Sequence, residues 1–212
     1  MSGPRVKICG ITRGVDGRLA VSLGASYLGF ILYSKSPRAI SLDEFASIEE
    51  SLPDSFRVAV DVSPSIERLR DQVLAGFDYF QIHFSDIHNA EYLTDISQLV
   101  GRDRLWLAPK LAPGTLFPES LFEYTNTFLI DTYHAEGYGG SGKTGDWVGF
   151  DRLQSDYPEK TWILAGGLNP ENVLDALNLA HPRFMDASSG LESSPGIKDE
   201  DKLRAFFGKL NP

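Results

Sequence analysis

Val6-Lys7-Ile8-Cys9-Gly10-Ile11-Thr12 carries the only cysteine of the 212-residue chain and decides how the rest is read. An apolar run that ends in Cys9-Gly10 predicts a strand over Arg5 to Cys9, followed by a turn that glycine makes easy. An open doubly wound sheet shows a glycine fingerprint, G-x-G-x-x-G, straight after its first strand. Here Gly10 is followed by Ile11, Thr12 and Arg13, which is no such fingerprint. Side chains alternate along a strand, so Lys7 and Cys9 share one face and Val6 and Ile8 the other. Taken alone, a single cysteine reads as a small buried apolar residue.

Outward from this stretch, apolar runs and helical patterns alternate to the end of the chain. Further strands are predicted over Tyr27 to Leu32, Arg57 to Asp61, Tyr79 to His83, Leu105 to Pro109, Thr127 to Asp131, Thr161 to Ala165 and Phe184 to Ala187. Helical spacing appears over Asp16 to Gly24, in Phe45 and Ile48 behind the capping box Ser41-Leu42-Asp43-Glu44, and in Ile66, Leu69 and Val73 behind Pro64. It recurs in Leu93, Ile96 and Val100, weakly over Phe117 to Tyr124, and over Val148 to Asp156. Asn169-Pro170 predicts a helix with proline at its first position and Val173, Leu174 and Leu177 on its buried stripe. A last helix starts near Asp199, with Leu203, Phe206, Phe207 and Leu210 facing inward. Eight strands and eight helices in strict alternation imply a parallel sheet closed into a (β/α)8 TIM barrel, one α/β domain over residues 1–212.

Composition narrows the function classes. The formal net charge is -9, and no lysine or arginine cluster runs along the chain, so nucleic acid is not expected as a partner. An anionic substrate would have to be held by local backbone N–H groups and a few placed cations. One cysteine excludes an intrachain disulfide and fits a reducing, cytoplasmic setting. No stretch approaches the ~20 apolar residues of a membrane span.

Barrels of this kind place their active sites at the carboxyl ends of the strands. Those ends carry Cys9, Ser34 to Arg38, Asp61, Gln81 with His83, Lys110, Asp131, Gly166-Gly167, and Asp186 with Ser188-Ser189-Gly190. The loops after strands seven and eight, at Gly166-Gly167 and Ser188-Ser189-Gly190, are where these barrels commonly bind phosphate. Gly137 to Thr144 matches the nucleotide-binding pattern G-x-x-x-x-G-K-[ST]. That pattern needs a strand directly before it and a helix beginning at Lys-Thr, whereas Thr132 to Glu136 intervene and Gly145-Asp146 follow. A flap over the site is the better reading, and ATP or GTP hydrolysis is not expected.

Cys9 and Asp131 are candidates for an acid-base pair on different strands. A thiol with a lowered pKa takes a proton from carbon, and Lys7 is placed either to tune it or to pair with a buried acid. A carboxyl group kept neutral by burial would serve as the acid. His88, His134 and His181 fall in loops or at helix edges, and no spacing of His or carboxylates points to a metal site.

Taken together, Lys7-Ile8-Cys9-Gly10-Ile11-Thr12, Gly24-Ala25, Leu28-Gly29-Phe30, Ser36-Pro37-Arg38, Asp131-Thr132, Gly139 to Thr144 with Asp146-Trp147, Leu164 to Val173, Asp186 to Glu192 and Pro195 to Asp199 resemble the phosphoribosylanthranilate isomerases. The resemblance implies an Amadori rearrangement without cofactor, on a small phosphorylated substrate, in tryptophan biosynthesis. By position Asp131 matches the general acid and Cys9 the general base. Arg38 matches an arginine near the anthranilate carboxylate, and Gly166-Gly167 and Ser189-Gly190 match the phosphate site. Lys7, Gln81, His83, Asp186 and Ser188 complete the predicted substrate contacts. Two positions depart from the family. Asp61 would add negative charge near an anionic substrate, and Phe84, in place of glycine, would reshape the floor of the aromatic subsite. They motivate an alternative, a barrel that binds a sugar phosphate without turning it over.

Overall fold

The computed structural model describes residues 3–111, 115–131 and 146–210. Eight parallel strands close into a barrel in sequence order: β1 (Arg5–Cys9), β2 (Tyr27–Ile31), β3 (Phe56–Val62), β4 (Tyr79–Phe84), β5 (Leu105–Pro109), β6 (Thr127–Asp131), β7 (Thr161–Ala165) and β8 (Phe184–Ala187). Closure is made by β1 against β8, with Lys7 opposite Asp186. The helices are α1 (Gly14–Leu23), α2 (Leu42–Glu49), α3 (Ile66–Leu74), α4 (Ala90–Val100), α5 (Trp147–Asp156), α6 (Val173–Ala180) and α7 (Glu200–Leu210).

Local chemistry sets the helix starts. The Ser41 and Glu44 capping box begins α2, and Ser65 caps α3, so Pro64 stands before the cap. Between β5 and β6 the described residues form a 3-10 turn over Glu119–Glu123, where a short helix is predicted. Asn169 Oδ1 accepts from the N–H groups of Glu171 and Asn172. That Asx turn occupies Pro170, and α6 begins three residues later than predicted. Leu174 is exposed, off the predicted buried stripe. After β8, an antiparallel pair, β9 (Glu192–Ser194) and β10 (Ile197–Lys198), was not predicted.

Alternation divides the strands between two cores. Ile8, Leu28, Phe30, Ala59, Ile82, Phe128 and Leu164 face the helices, and Cys9, Tyr27, Val58, Val60, Trp106, Leu129 and Ile163 face the barrel axis. At the amino-terminal end the axis is plugged by aromatic rings. Tyr27 lies 4.8 Å from Phe184 and 5.4 Å from Trp106, ring centre to ring centre, and Tyr79 lies 5.0 Å from Trp106. Each buried ring contributes ~2 kcal/mol of apolar burial, and the plug leaves the opposite end of the axis as the mouth.

Candidate active site

One step above the aromatic plug, Lys7 Nζ donates to Asp186 Oδ1 at 2.9 Å, with the lysine side chain 0% and the aspartate 9% exposed. Cys9 is the next inward residue of β1, close enough for the Lys7 ammonium to act on its thiol electrostatically. Gly29 of β2 makes room for both. A Cβ at Gly29 would stand 2.9 Å from Cys9 Sγ and 2.9 Å from Lys7 Nζ. Lys7 is therefore wholly covered, and it does both things the sequence left open: it pairs with a buried acid and faces the thiol.

The electrostatics follow from this burial. Burial alone would lower the Lys7 ammonium, but Asp186 and the thiol outweigh it, so the lysine titrates above its ordinary value. Burial pushes the Asp186 carboxyl up, and Lys7 offsets part of that. Burial also pushes the Cys9 thiol up, and the Lys7 cation pulls it back only partly. The thiol pKa is thus raised, not lowered, because desolvation outweighs the neighbouring charge.

On the other side of the mouth, Leu129, Asp131, His83, Ala108 and Lys110 border a cavity of about 410 Å³. Asp131 ends β6 and is exposed, without the burial predicted for the acid. Gln81 Nε2 lies 2.8 Å from His83 Nε2. The amide donates, which places the proton of the neutral imidazole on Nδ1. Burial, with the Lys7 charge behind it, lowers the His83 pKa to about 4.

The loops expected to hold phosphate meet at the same end. Gly166 and Gly167 both have positive φ, at 103° and 66°, and a Cβ at Gly190 would fall 2.2 Å from the Leu168 carbonyl oxygen. Only glycine permits that approach. Ser188 Oγ donates to the Cys9 carbonyl at 3.0 Å, tying the β8 loop to the end of β1. Ser189 opens a 3-10 turn over Ser189–Leu191. Arg38 Nε and Nη2 hold Glu192 at 2.9 Å and 2.7 Å, and Lys198 Nζ holds the same carboxylate at 3.0 Å. Sequence reasoning gave Glu192 and Lys198 no role. Their signal was the charged pair flanking Ser193-Ser194-Pro195-Gly196, a turn composition that brings the two together.

Of the two departures, Asp61 turns away from the mouth, whereas Phe84 borders its cavity. Asp61 has the outward parity of Ala59 and accepts from Arg68 Nε at 2.7 Å, Gln72 Nε2 at 2.7 Å and the Val62 N–H at 2.8 Å. Its charge is spent on α3. Phe84 has the outward parity of Phe80 and Ile82, and its ring belongs to the core between strands and helices. Asp61 therefore gives no motive for a non-catalytic barrel, while Phe84 still borders the cavity beside His83. The nucleotide-like Gly137 to Thr144 lies outside the described residues, as does His134. Among the described residues, no group of three or more His, Cys, Asp or Glu is placed to hold a metal, and no helix is long and apolar enough to cross a membrane.

Comparison with known proteins agrees with this architecture. Residues 6–209 match the model of the family described as N-(5'-phosphoribosyl)anthranilate (PRA) isomerase. The N-(5'-phosphoribosyl)anthranilate isomerase of Synechococcus elongatus is 36% identical over 98% of this chain and 96% of its own. The enzyme of that name from Microcystis aeruginosa is 35% identical over 97% of each. The crystal structure of phosphoribosyl anthranilate isomerase from Thermus thermophilus superposes with a TM-score of 0.79 at 34% identity, covering 97% and 98% of the two chains. A phosphoribosyl anthranilate isomerase solved with reduced 1-(o-carboxyphenylamino)-1-deoxyribulose 5-phosphate superposes at 0.73, with 31% identity over 98% of each chain. With an eight-stranded barrel, a thiol at the end of β1 and paired glycine loops after β7 and β8, the chain belongs to the N-(5'-phosphoribosyl)anthranilate isomerase family of isomerases.

Proposed function

We propose that the protein converts N-(5-phosphoribosyl)anthranilate to 1-(2-carboxyphenylamino)-1-deoxyribulose 5-phosphate, an Amadori rearrangement in tryptophan biosynthesis, in the cytoplasm. The observation that carries this reading is the convergence of Cys9, Asp131 and the two phosphate-type loops on one end of the barrel.

Asp131 gives a proton to the ribose ring oxygen as the C1–O bond breaks, which leaves a C1–N Schiff base. Its exposed position suits a carboxyl group that must be reprotonated each turn. Cys9, as thiolate, then removes the proton on C2, and the electron pair moves into the C1–C2 bond. The enolamine takes a proton at C1, gives up the proton of its C2 hydroxyl and becomes the ketone. Atoms balance without an outside oxidant, so this chemistry calls for no cofactor. Lys7 works from beneath, opposing the burial that keeps the thiol protonated. His83, held neutral and oriented by Gln81, borders the same cavity as Asp131 and contributes a hydrogen-bonding edge to the bound sugar. The backbone at Gly166, Gly167, Ser188, Ser189 and Gly190 takes the phosphate, and Arg38 takes the anthranilate carboxylate.

The test is turnover of phosphoribosylanthranilate by purified protein beside the variants Cys9→Ala and Asp131→Asn. Each variant is expected to lose ~100-fold or more in kcat, the scale of a lost general acid or base. Absence of turnover in the wild type, or full activity in both variants, would overturn the reading.

A further inference from the structure

Arg38 and Lys198 share a single carboxylate, and the way they share it is informative. The Glu192 side chain is 4% exposed and that of Lys198 0%. Burial alone would raise the Glu192 carboxyl, but the two cations hold it below the usual range, so it remains a buried anion. Arg38 meets it side-on. Nε lies 2.9 Å from Oε1 and 3.0 Å from Oε2, and Nη2 lies 2.7 Å from Oε2. A guanidinium has five N–H groups in a fixed plane. A side-on clamp consumes the Nε edge and leaves the end-on fork, one N–H from each terminal nitrogen, for a second planar anion. The arginine side chain is 21% exposed, and its Cδ and Cβ lie beside Gly10 at the end of β1.

The other side of the carboxylate is anchored just as firmly. Lys198 Nζ donates to Glu192 Oε1 at 3.0 Å and to the Ser188 carbonyl at 3.2 Å. The Lys198 N–H donates to Asp16 Oδ2 at 3.1 Å, which fastens the hairpin to α1. Lys202 Nζ donates to the Glu192 carbonyl at 2.7 Å. Glu192 thus stands on a braced hairpin, whereas Arg38 comes from the loop between β2 and α2. Two cations around one carboxylate also leave local positive charge in a chain whose formal charge is -9.

We propose that Glu192 is a positioning residue for substrate selection: it fixes the plane of Arg38 so that the free fork reads the ring carboxylate, and through Lys198 it ties that fork to the Ser188 loop. This rests on the reading that Arg38 binds the anthranilate carboxylate. Selectivity for a ring carrying an ortho carboxylate then comes from the C-terminal hairpin β9–β10, outside the barrel strands.

The test compares two ligands by calorimetry: reduced 1-(o-carboxyphenylamino)-1-deoxyribulose 5-phosphate, and its phenylamino counterpart without the ring carboxylate. Glu192→Gln is expected to weaken the first ~10- to 100-fold, the worth of a charge-assisted contact, and to leave the second almost unchanged. In turnover KM should rise while kcat changes little. Combined with Arg38→Gln it should add almost nothing, because the two act as one unit. Glu192→Asp keeps the charge and should recover part of the selectivity; it decides the matter if the glutamine variant does not fold. Equal weakening toward both ligands would make Glu192 merely structural. Tighter binding of the carboxylated ligand would mean that it only screens Arg38. Either result overturns the proposal. If Arg38→Gln fails to distinguish the two ligands, the reading of Arg38 itself falls; if Arg38→Gln distinguishes them and neither Glu192 variant does, the Glu192 proposal alone falls.

Discussion

Lys7 Nζ and Asp186 Oδ1 lie 2.9 Å apart within the barrel, and the same ammonium faces the Cys9 thiol. The lysine side chain, one of the predicted substrate contacts, has no exposed surface. Its influence on catalysis therefore runs through the charge it brings to Cys9 and the place it gives Asp186.

Lys7→Met is expected to act twice. It leaves Asp186 buried and unpaired, a loss of about 3–5 kcal/mol for one broken buried ion pair. It also removes the cation that opposes burial of the thiol. The folded thiol already titrates above its ordinary value, so the thiolate, and activity that needs it, increases as pH rises. Without Lys7 this limb of the kcat/KM profile should move to still higher pH. The stability conferred by the protonated thiol is fully present below the ordinary thiol pKa and is lost as pH rises through the folded one. Replacing both partners, as Lys7→Met with Asp186→Leu, should restore most of the melting temperature but not the activity. A limb that stays in place in Lys7→Met would show that Lys7 does not act on the thiol.

How much of this was legible in the sequence depends on what each signal averages over. Apolar runs of five residues mark a strand whatever surrounds them, so the eight strands and their carboxyl ends were readable from Cys9, Asp131 and the glycine pairs. Parity was not. Arg57-Val58-Ala59-Val60-Asp61 is apolar at inward and outward positions alike, because a parallel strand in a barrel is covered on both faces. Nothing in it says that Asp61 points to α3, and the residue that neutralises it, Arg68, lies on the next element. The same holds for Phe84. The hairpin from Glu192 to Lys198 was hidden for another reason: strands of three and two residues fall below any periodic signal. At Asn169 two local rules compete, and the side-chain turn displaces the proline-first helix start.

Gly29→Ala is a change of one methyl group at the floor of the site. The new Cβ would stand 2.8 Å from Lys7 Cε and 2.9 Å from Cys9 Sγ. No strain in the Gly29 backbone is involved, since its φ is not positive, so the effect is pure crowding of the two functional side chains. Overpacking of this kind costs ~1–3 kcal/mol, and a displacement of the base by ~1 Å costs ~100-fold in rate. Steady-state kinetics together with a thermal melt should show a fall in kcat far larger than the fall in stability explains. An enzyme with normal kcat would mean that Cys9 has slack, and that its position is not set by the β2 wall.

Asp61 offers the converse case, a carboxylate at a strand end that does no chemistry. It accepts three hydrogen bonds, from Val62 N–H, Arg68 Nε and Gln72 Nε2, and is 2% exposed. Arg68 is 46% exposed and can turn to water when its partner is lost, so the charge pair itself contributes little. The buried Gln72 amide cannot. Asp61→Leu should therefore destabilise by ~1–3 kcal/mol through the stranded Gln72 donor, while Asp61→Asn, which keeps an acceptor, should cost roughly half of that. Neither should move KM or kcat by more than about 2-fold, a range typical of substitutions that leave a site untouched. Urea denaturation and steady-state kinetics on the same preparations separate the two quantities. A drop in KM for Asp61→Asn would show that this charge is felt by the anionic substrate after all. An unchanged KM with a lower denaturation midpoint is the result expected from a side chain committed to α3.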